Sequence, residues 1–319
     1  MTEFTNKQKW ALTQYDELAL KLGKDGKTSY SQAARIVGVS DSVISQIRNG
    51  KYNGNAEKNL NIIVNYFENK EKNRSLAFNP VYAETSVSKD CYEVIRFCHI
   101  LGRCSRITGD AGIGKTKAAI KYAEDHSGNC ILITANPTKS SMKAILKELG
   151  KSLNIKKREV DELYDSIIER LHGGMIIIID EAQFLNAGAI NTLRSIPDYF
   201  ERTGEVLGLC LIGNHSLKTK FEVKNNDEIY EQIGDRSRFK PEFYKSDISK
   251  EDIALLIPQL AGKEMELEFL HKLMKLKGSS LRSVLDVYTM ALNNENISYE
   301  GLKVAAEGIS RLSRGRKQD

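Results

Sequence analysis

Eight residues, GDAGIGKT at 109–116, satisfy the pattern G-x-x-x-x-G-K-[ST] through Gly109, Gly114, Lys115 and Thr116. The chemistry this suits is the grip on a nucleotide polyphosphate. Across Gly109, Asp110, Ala111, Gly112, Ile113 and Gly114, the glycines let backbone N–H groups turn inward, and a helix opening at Lys115 adds its partial positive charge. Lys115 is expected to reach the β and γ phosphates, the Thr116 hydroxyl to ligate Mg2+, and Lys117 to complete the binding segment. A second stretch, MIIIIDEAQ at 175–183, ends an apolar run in two carboxylates. Asp180 is the candidate for the Mg2+ shell, and Glu181 for the general base that orients and polarises an attacking water. ATP and Mg2+ are therefore the expected cofactors. A glycine turn and a solvated acidic turn are the plain alternatives, but the flanking elements argue against them.

Those elements alternate. The strand pattern at 104–108 precedes the loop and a helical pattern at 115–126 follows it. Then come a strand at 130–134, helices at 140–149 and 160–170, a strand at 175–179, a helix at 188–195 and a strand at 206–212. Alternation of this kind implies a parallel sheet covered on both faces, with ligands at the carboxyl ends of the strands. Four consecutive isoleucines, Ile176 to Ile179, read as a strand buried on both sides. From Ser249 onward the patterns are helical only, which suggests a small lid.

Upstream lies a different kind of segment. Helical patterns at 5–22, 30–37, 41–49 and 56–69 precede a polar stretch, 71–80, that reads as a linker. Within them SQAARIVGVSDSVISQIRNG, 31–50, fits a helix-turn-helix, with Gly38 where the turn needs a positive φ and Val39, Ile44 and Ile47 buried. The second helix would then offer Ser40, Asp41, Ser42, Ser45, Gln46 and Asn49 to a major groove, with Arg48 and Lys51 near phosphates. Few arginines and an acidic Asp41 suggest salt-dependent contact of low sequence specificity. A helical domain that binds protein is the competing reading.

Phosphate loop, DE box, a polar strand end and late arginines together resemble an AAA+ ATPase over roughly residues 85–310. The resemblance implies further roles. LGLCLIGN ends in Asn214, at the family's sensor-1 position. IYEQIGDRSRF resembles box VII, which makes Arg238 the candidate finger into a neighbouring subunit's nucleotide and Arg236 the reserve. GSSLRSVLDV resembles the sensor-2 helix, which makes Arg282 a γ-phosphate contact. The order of a repressor-like helix-turn-helix and one AAA+ module is similar to the phage Mu B transposition protein family. That resemblance implies a homo-oligomer (a ring or helical filament) built with ATP on double-stranded DNA, and a partner DDE transposase that it recruits and stimulates. It also implies that the loop after the second core strand, ANPTKSSMK, faces DNA through Thr138, Lys139 and Lys143, with Lys156, Lys157 and Arg158 adding charge.

The expected organisation is thus α/β: an AAA+ P-loop parallel sheet at 85–245 with a small helical lid at 246–312. An all-α helix-turn-helix domain at 1–74, a linker at 75–84 and a basic tail at 313–319 complete it. A formal charge of +5 fits DNA contact at the ends, since residues 1–74 carry twelve basic against eight acidic side chains and residues 311–319 four against one. No apolar run approaches a membrane span and no signal-peptide core is visible, so a cytoplasmic protein is expected. Five cysteines without a CxxC pair read as structural thiols. Two other functions fit less well: a loader or initiator ATPase in replication, and a nucleotide-gated DNA-binding regulator. Glu181 argues against the second, because a pure switch has no need of a water-activating carboxylate.

Overall fold

The computed structural model describes residues 4–23, 27–76, 78, 81–157, 159–222 and 237–314. The chain divides into two compact units, Met1–Phe78 and Asn79–Asp319.

The first unit is helical: α1 (Asn6–Leu22), α2 (Tyr30–Val37), α3 (Asp41–Arg48) and α4 (Ala56–Leu76). Thr5 and Gln8 form a capping box that starts α1, each side chain satisfying the other residue's N–H. Gly38 ends α2 at φ 84°, so the chain can turn at once into α3, which Ser40 caps through the N–H of Val43. Tyr15, Val37, Val39, Ile44, Ile47, Ile63 and Phe67 share one core, which fixes the α2–α3 pair against α1 and α4. The last helix continues to Leu76, past the end at Asn69 that the apolar spacing suggested. Beyond that point its sequence, KEKNRSL, is polar but contains neither Gly nor Pro, so nothing interrupts the backbone hydrogen bonds.

The second unit opens with α5 (Ser86–Leu101) and then builds a parallel sheet in the order β2-β3-β4-β1-β5, with a sixth short strand, β6, also paired to β1. The strands are β1 (Cys104–Gly109), β2 (Cys130–Thr134), β3 (Met175–Asp180), β4 (Leu207–Gly213), β5 (Ser237–Phe239) and β6 (Glu242–Phe243). Helices α6 (Lys115–Asp125), α7 (Met142–Ser152), α8 (Val160–Arg170), α9 (Ala187–Arg202) and α10 (His215–Glu222) connect them. Ile176 to Ile179 are all fully buried, as a strand between two parallel neighbours and two helix layers must be.

Three departures have local causes. Instead of one helix from Ser140, a 3-10 turn at Pro137–Lys139 comes first and α7 starts at Met142, capped by Ser141. Helix α9 runs on through Pro197, because Ile190, Leu193, Ile196 and Phe200 form a buried stripe that holds it beyond the missing hydrogen bond. Strands β5 and β6 are too short for any periodicity to announce them; pairing to β1 makes them strands.

The lid is α11 (Lys250–Leu256), α12 (Glu264–Lys275), α13 (Leu281–Asn293) and α14 (Tyr299–Arg314). One buried carboxylate pins it to the start of α5: Asp252, 2% exposed, accepts hydrogen bonds from Ser86 N at 2.7 Å, Ser86 Oγ at 3.0 Å and Ser249 N at 2.8 Å.

Candidate nucleotide-binding site

The segment 109–116 joins the carboxyl end of β1 to the first turn of α6. Gly114 caps α6 at φ 108° and Gly112 sits at φ 71°, both conformations that L side chains avoid. Gly109 is needed for space instead, since a Cβ there would lie 2.4 Å from Phe243 O on β6. Lys115 is 9% exposed, and its ammonium donates to Gly109 O at 2.9 Å and Asp110 O at 2.6 Å, inside the loop it would present to a phosphate. Burial lowers its pKa, partly opposed by nearby acidic groups.

Thr116 Oγ1, in the first turn of α6, donates to Asp180 Oδ2 at the carboxyl end of β3 at 2.8 Å. Asp180 is 4% exposed, and desolvation raises its pKa although Thr116 and the Glu181 N–H oppose this. A carboxylate and a hydroxyl in contact at the phosphate-loop helix are hard oxygen donors, a set that fits Mg2+. Glu181 follows in a left-handed conformation, φ 56°, and its carboxylate accepts from Gln183 Nε2.

These groups line one cavity of about 290 Å³ together with Lys117, Asn214 and, from the lid, Arg282. The structure therefore brings Lys115, Thr116, Asp180, Glu181, Asn214 and Arg282 together from the start of α6, the carboxyl ends of β3 and β4, and the lid helix α13. Asn214 Oδ1 also caps α10, accepting from Ser216 N at 2.9 Å and Ser216 Oγ at 2.6 Å. Arg238 belongs to β5, and Arg236 lies outside the described residues.

Sequence reasoning missed half of the cavity wall. Val81, Tyr82 and Ala83, expected to belong to a linker, line it, as do Thr85, Ser88, Leu256, Leu281 and Leu285. Only the Thr85 cap ahead of α5 carried a local signal. The anchoring of Asp110 was also invisible: its carboxylate accepts from Lys245 N at 2.9 Å and lies 3.4 Å from His215 Nε2, whose ring stacks on Tyr244.

Among the candidate DNA contacts, Ser40, Asp41, Ser42, Ser45, Gln46, Asn49 and Lys51 are exposed on or beside α3. Asp41 accepts from Tyr15 Oη at 3.3 Å. Arg48 departs from expectation: its guanidinium turns back onto α1, 2.9 Å from Asp16 Oδ1 and 3.3 Å from Leu12 O, and braces the helices. After β2, Asn136 Oδ1 organises the turn through the N–H groups of Thr138 and Lys139. Lys139 is paired with Glu148 at 2.8 Å and Lys157 with Glu162 at 3.2 Å, so part of their charge is already met, whereas Lys143 and Lys156 are exposed. Arg158 lies outside the described residues. The five cysteines are free thiols, and no cluster of metal-binding side chains occurs among the described residues.

A family model described as an AAA domain matches residues 101–221. The Mu-like prophage FluMu DNA transposition protein B of Haemophilus influenzae is 30% identical over 204 residues, 62% of this chain and 68% of that protein. The chain belongs to the Mu B transposition protein family. The ATP-dependent target DNA activator B of Escherichia phage Mu is 28% identical over 263 residues, covering 81% of both chains. Among solved structures, Cdc6p from Pyrobaculum aerophilum aligns at a TM-score of 0.55 and 16% identity over 73% of this chain and 70% of its own, which shows the shared fold. The fold is that of an AAA+ P-loop protein with a helical lid, and the chain is a nucleotide-binding ATPase. Among the described residues, no helix is long and apolar enough to cross a membrane.

Proposed function

We propose that this chain uses ATP to assemble on target DNA and to hand that DNA to a DDE transposase. The observation that carries the proposal is the cavity itself: phosphate loop, paired carboxylates, strand-end amide and lid arginine face one space, in a chain whose relative is named an ATP-dependent target DNA activator.

Within that cavity Lys115 and the loop N–H groups bind the β and γ phosphates. Thr116 and Asp180 would hold Mg2+, which supplies charge neutralisation at the phosphates when bound. Glu181 orients the attacking water and takes its proton, and Asn214 steadies the same water. Arg282 meets the γ-phosphate from the lid. Arg238 serves a neighbouring copy's nucleotide, where a cation offsets charge on the transferring phosphoryl group. An active site completed by a second copy makes ATP a condition of assembly, and hydrolysis a means of release.

DNA contact is assigned to two surfaces. One is α3 with Lys51. The other is the turn and helix after β2, through Thr138, Lys139 and Lys143. The α3 surface offers few cationic groups and carries the acidic Asp41, which supports salt-dependent contact of low sequence specificity. Residues 1–74 are read as the DNA-binding domain and 246–312 as the lid, with a basic tail beyond; action in the host cytoplasm fits such a role.

Electron microscopy on random-sequence duplex DNA, with an ATP analogue, with ADP and without nucleotide, tests this reading. Continuous coating with the ATP analogue alone is the expected result. Discrete particles at few sites, or coating indifferent to nucleotide, would overturn it in favour of a loader or a regulator.

A further inference from the structure

The amide of Gln183 joins two parts of the site that the sequence places far apart. Its Nε2 donates to Glu181 Oε2, and its Oε1 accepts from Asn214 N at 3.3 Å. The partners fix which way the amide faces, because an ionised carboxylate only accepts and a backbone N–H only donates. Two further observations show that the arrangement is built. A Cβ at Gly213 would lie 2.6 Å from Gln183 Oε1, so the last residue of β4 must lack a side chain for the amide to reach across. Lys220, on α10, donates its ammonium to Gln183 O and, at 2.8 Å, to Leu185 O, which fastens the turn carrying Gln183 from the other side.

Glu181 has a reason to need such a partner. It sits at φ 56°, ψ 34°, a backbone region that non-glycine residues hold only when the surroundings impose it. Its side chain leaves the DE turn at the edge of the cavity, and a carboxylate free to rotate there would spend much of its time turned away from any water on the γ-phosphate. Gln183 removes that freedom by tethering one carboxylate oxygen to the end of β4, next to Asn214.

We propose that Gln183 is a positioning residue that holds the Glu181 carboxylate in register with Asn214, so that the two ends of β3 and β4 act on one water. The inference rests on Glu181 being the water-activating base. It predicts that Gln183 matters to turnover and little to nucleotide binding, because the amide touches Glu181 and β4 and is not among the residues lining the cavity.

The test uses the full chain with ATP and Mg2+, and measures kcat, KM and the Kd of a fluorescent ATP analogue. Gln183→Met keeps the length and removes both hydrogen bonds. Gln183→Glu keeps the acceptor for Asn214 but replaces the donor with a second carboxylate. Both are expected to lower kcat by about 10- to 100-fold, the range spanned by a hydrogen bond to a charged group, with Kd within about twofold of wild type. In a Glu181→Gln background, Gln183→Met is expected to add no further loss. The proposal is overturned if Gln183→Met turns over within about twofold of wild type, if Kd and kcat worsen together, or if the double variant falls well below Glu181→Gln alone. Should Glu181→Gln itself hydrolyse ATP at the wild-type rate, the base assignment falls and takes this one with it. Loss in Glu181→Gln with an unaffected Gln183→Met removes the positioning role alone.

Discussion

Gly112 occupies a position of the phosphate loop that the motif leaves open, yet the structure allows little else there. Its φ of 71° costs an L residue about 1–2 kcal/mol. In addition, a Cβ would lie 2.7 Å from Ser280 Oγ and 2.8 Å from Ser280 Cβ, at the N-cap of α13. Both distances are under 3.0 Å, a separation that real Cβ contacts essentially never show, and Ser280 is held in place by its cap bond to Arg282 N at 3.2 Å. Relieving the overlap means moving α13 or the loop, at roughly 1–3 kcal/mol for an overpacked contact. Gly114 is the internal control: φ is 108°, but the nearest atom to a Cβ is 3.6 Å away, so Gly114→Ala carries backbone strain without a clash. Gly112→Ala should therefore lose stability from strain and, unlike Gly114→Ala, withdraw Arg282 from the cavity. Ser280→Gly removes the clashing atoms, and glycine at an N-cap costs only about a few tenths of a kcal/mol. The assay is thermal unfolding together with the Kd of a fluorescent ATP analogue for Gly112→Ala, Gly114→Ala, Ser280→Gly and the double variant Gly112→Ala/Ser280→Gly. The double variant should regain roughly 1–3 kcal/mol over Gly112→Ala in combined stability and binding. No recovery would refute the reasoning that the lid helix sets the residue at 112.

Asp180→Asn should raise the nucleotide-free melting temperature at neutral pH while abolishing turnover. Desolvation raises the Asp180 pKa, so its charged form weakens the fold above the unfolded value, and increasingly so as pH rises through the raised folded value. The advantage of the variant should shrink on acidification; a melting temperature lowered at neutral pH would contradict this. Arg48→Ala should weaken the N-terminal unit by ~1 kcal/mol, because the guanidinium braces α1, and leave the salt dependence of DNA binding unchanged. A salt slope reduced by about one would make Arg48 a phosphate contact after all. Asp252→Ala should cost about 2–4 kcal/mol in unfolding experiments, since three hydrogen bonds converge on that buried carboxylate. A loss below about 1 kcal/mol would mean the lid is held elsewhere.

Some of this protein is decided by residue type and spacing alone. The phosphate loop needs Gly109, Gly114, Lys115 and Thr116 at fixed intervals because consecutive N–H groups and one lysine must converge on phosphates. Strand β3 is legible because four isoleucines before Asp180 and Glu181 suit only a strand buried on both faces. Gly38 between two short amphipathic helices marks the turn from α2 to α3 for a similarly local reason, its positive φ. Contacts between distant segments leave no such trace. Pairing with β1 makes strands of Ser237–Phe239 and Glu242–Phe243, and the packing of the lid puts Leu256, Leu281 and Leu285 into the cavity wall with Val81 and Tyr82. Arg48 reads as a surface cation until α1 supplies Asp16 and a backbone carbonyl. Gly112 and Gly213 read as incidental glycines until Ser280 and Gln183 take the space a side chain would fill. Periodicity reports what a residue needs from its own neighbours along the chain. Which other segment arrives beside it is settled by packing, and in this protein packing decided the lid, the far wall of the nucleotide cavity and the tether on Glu181.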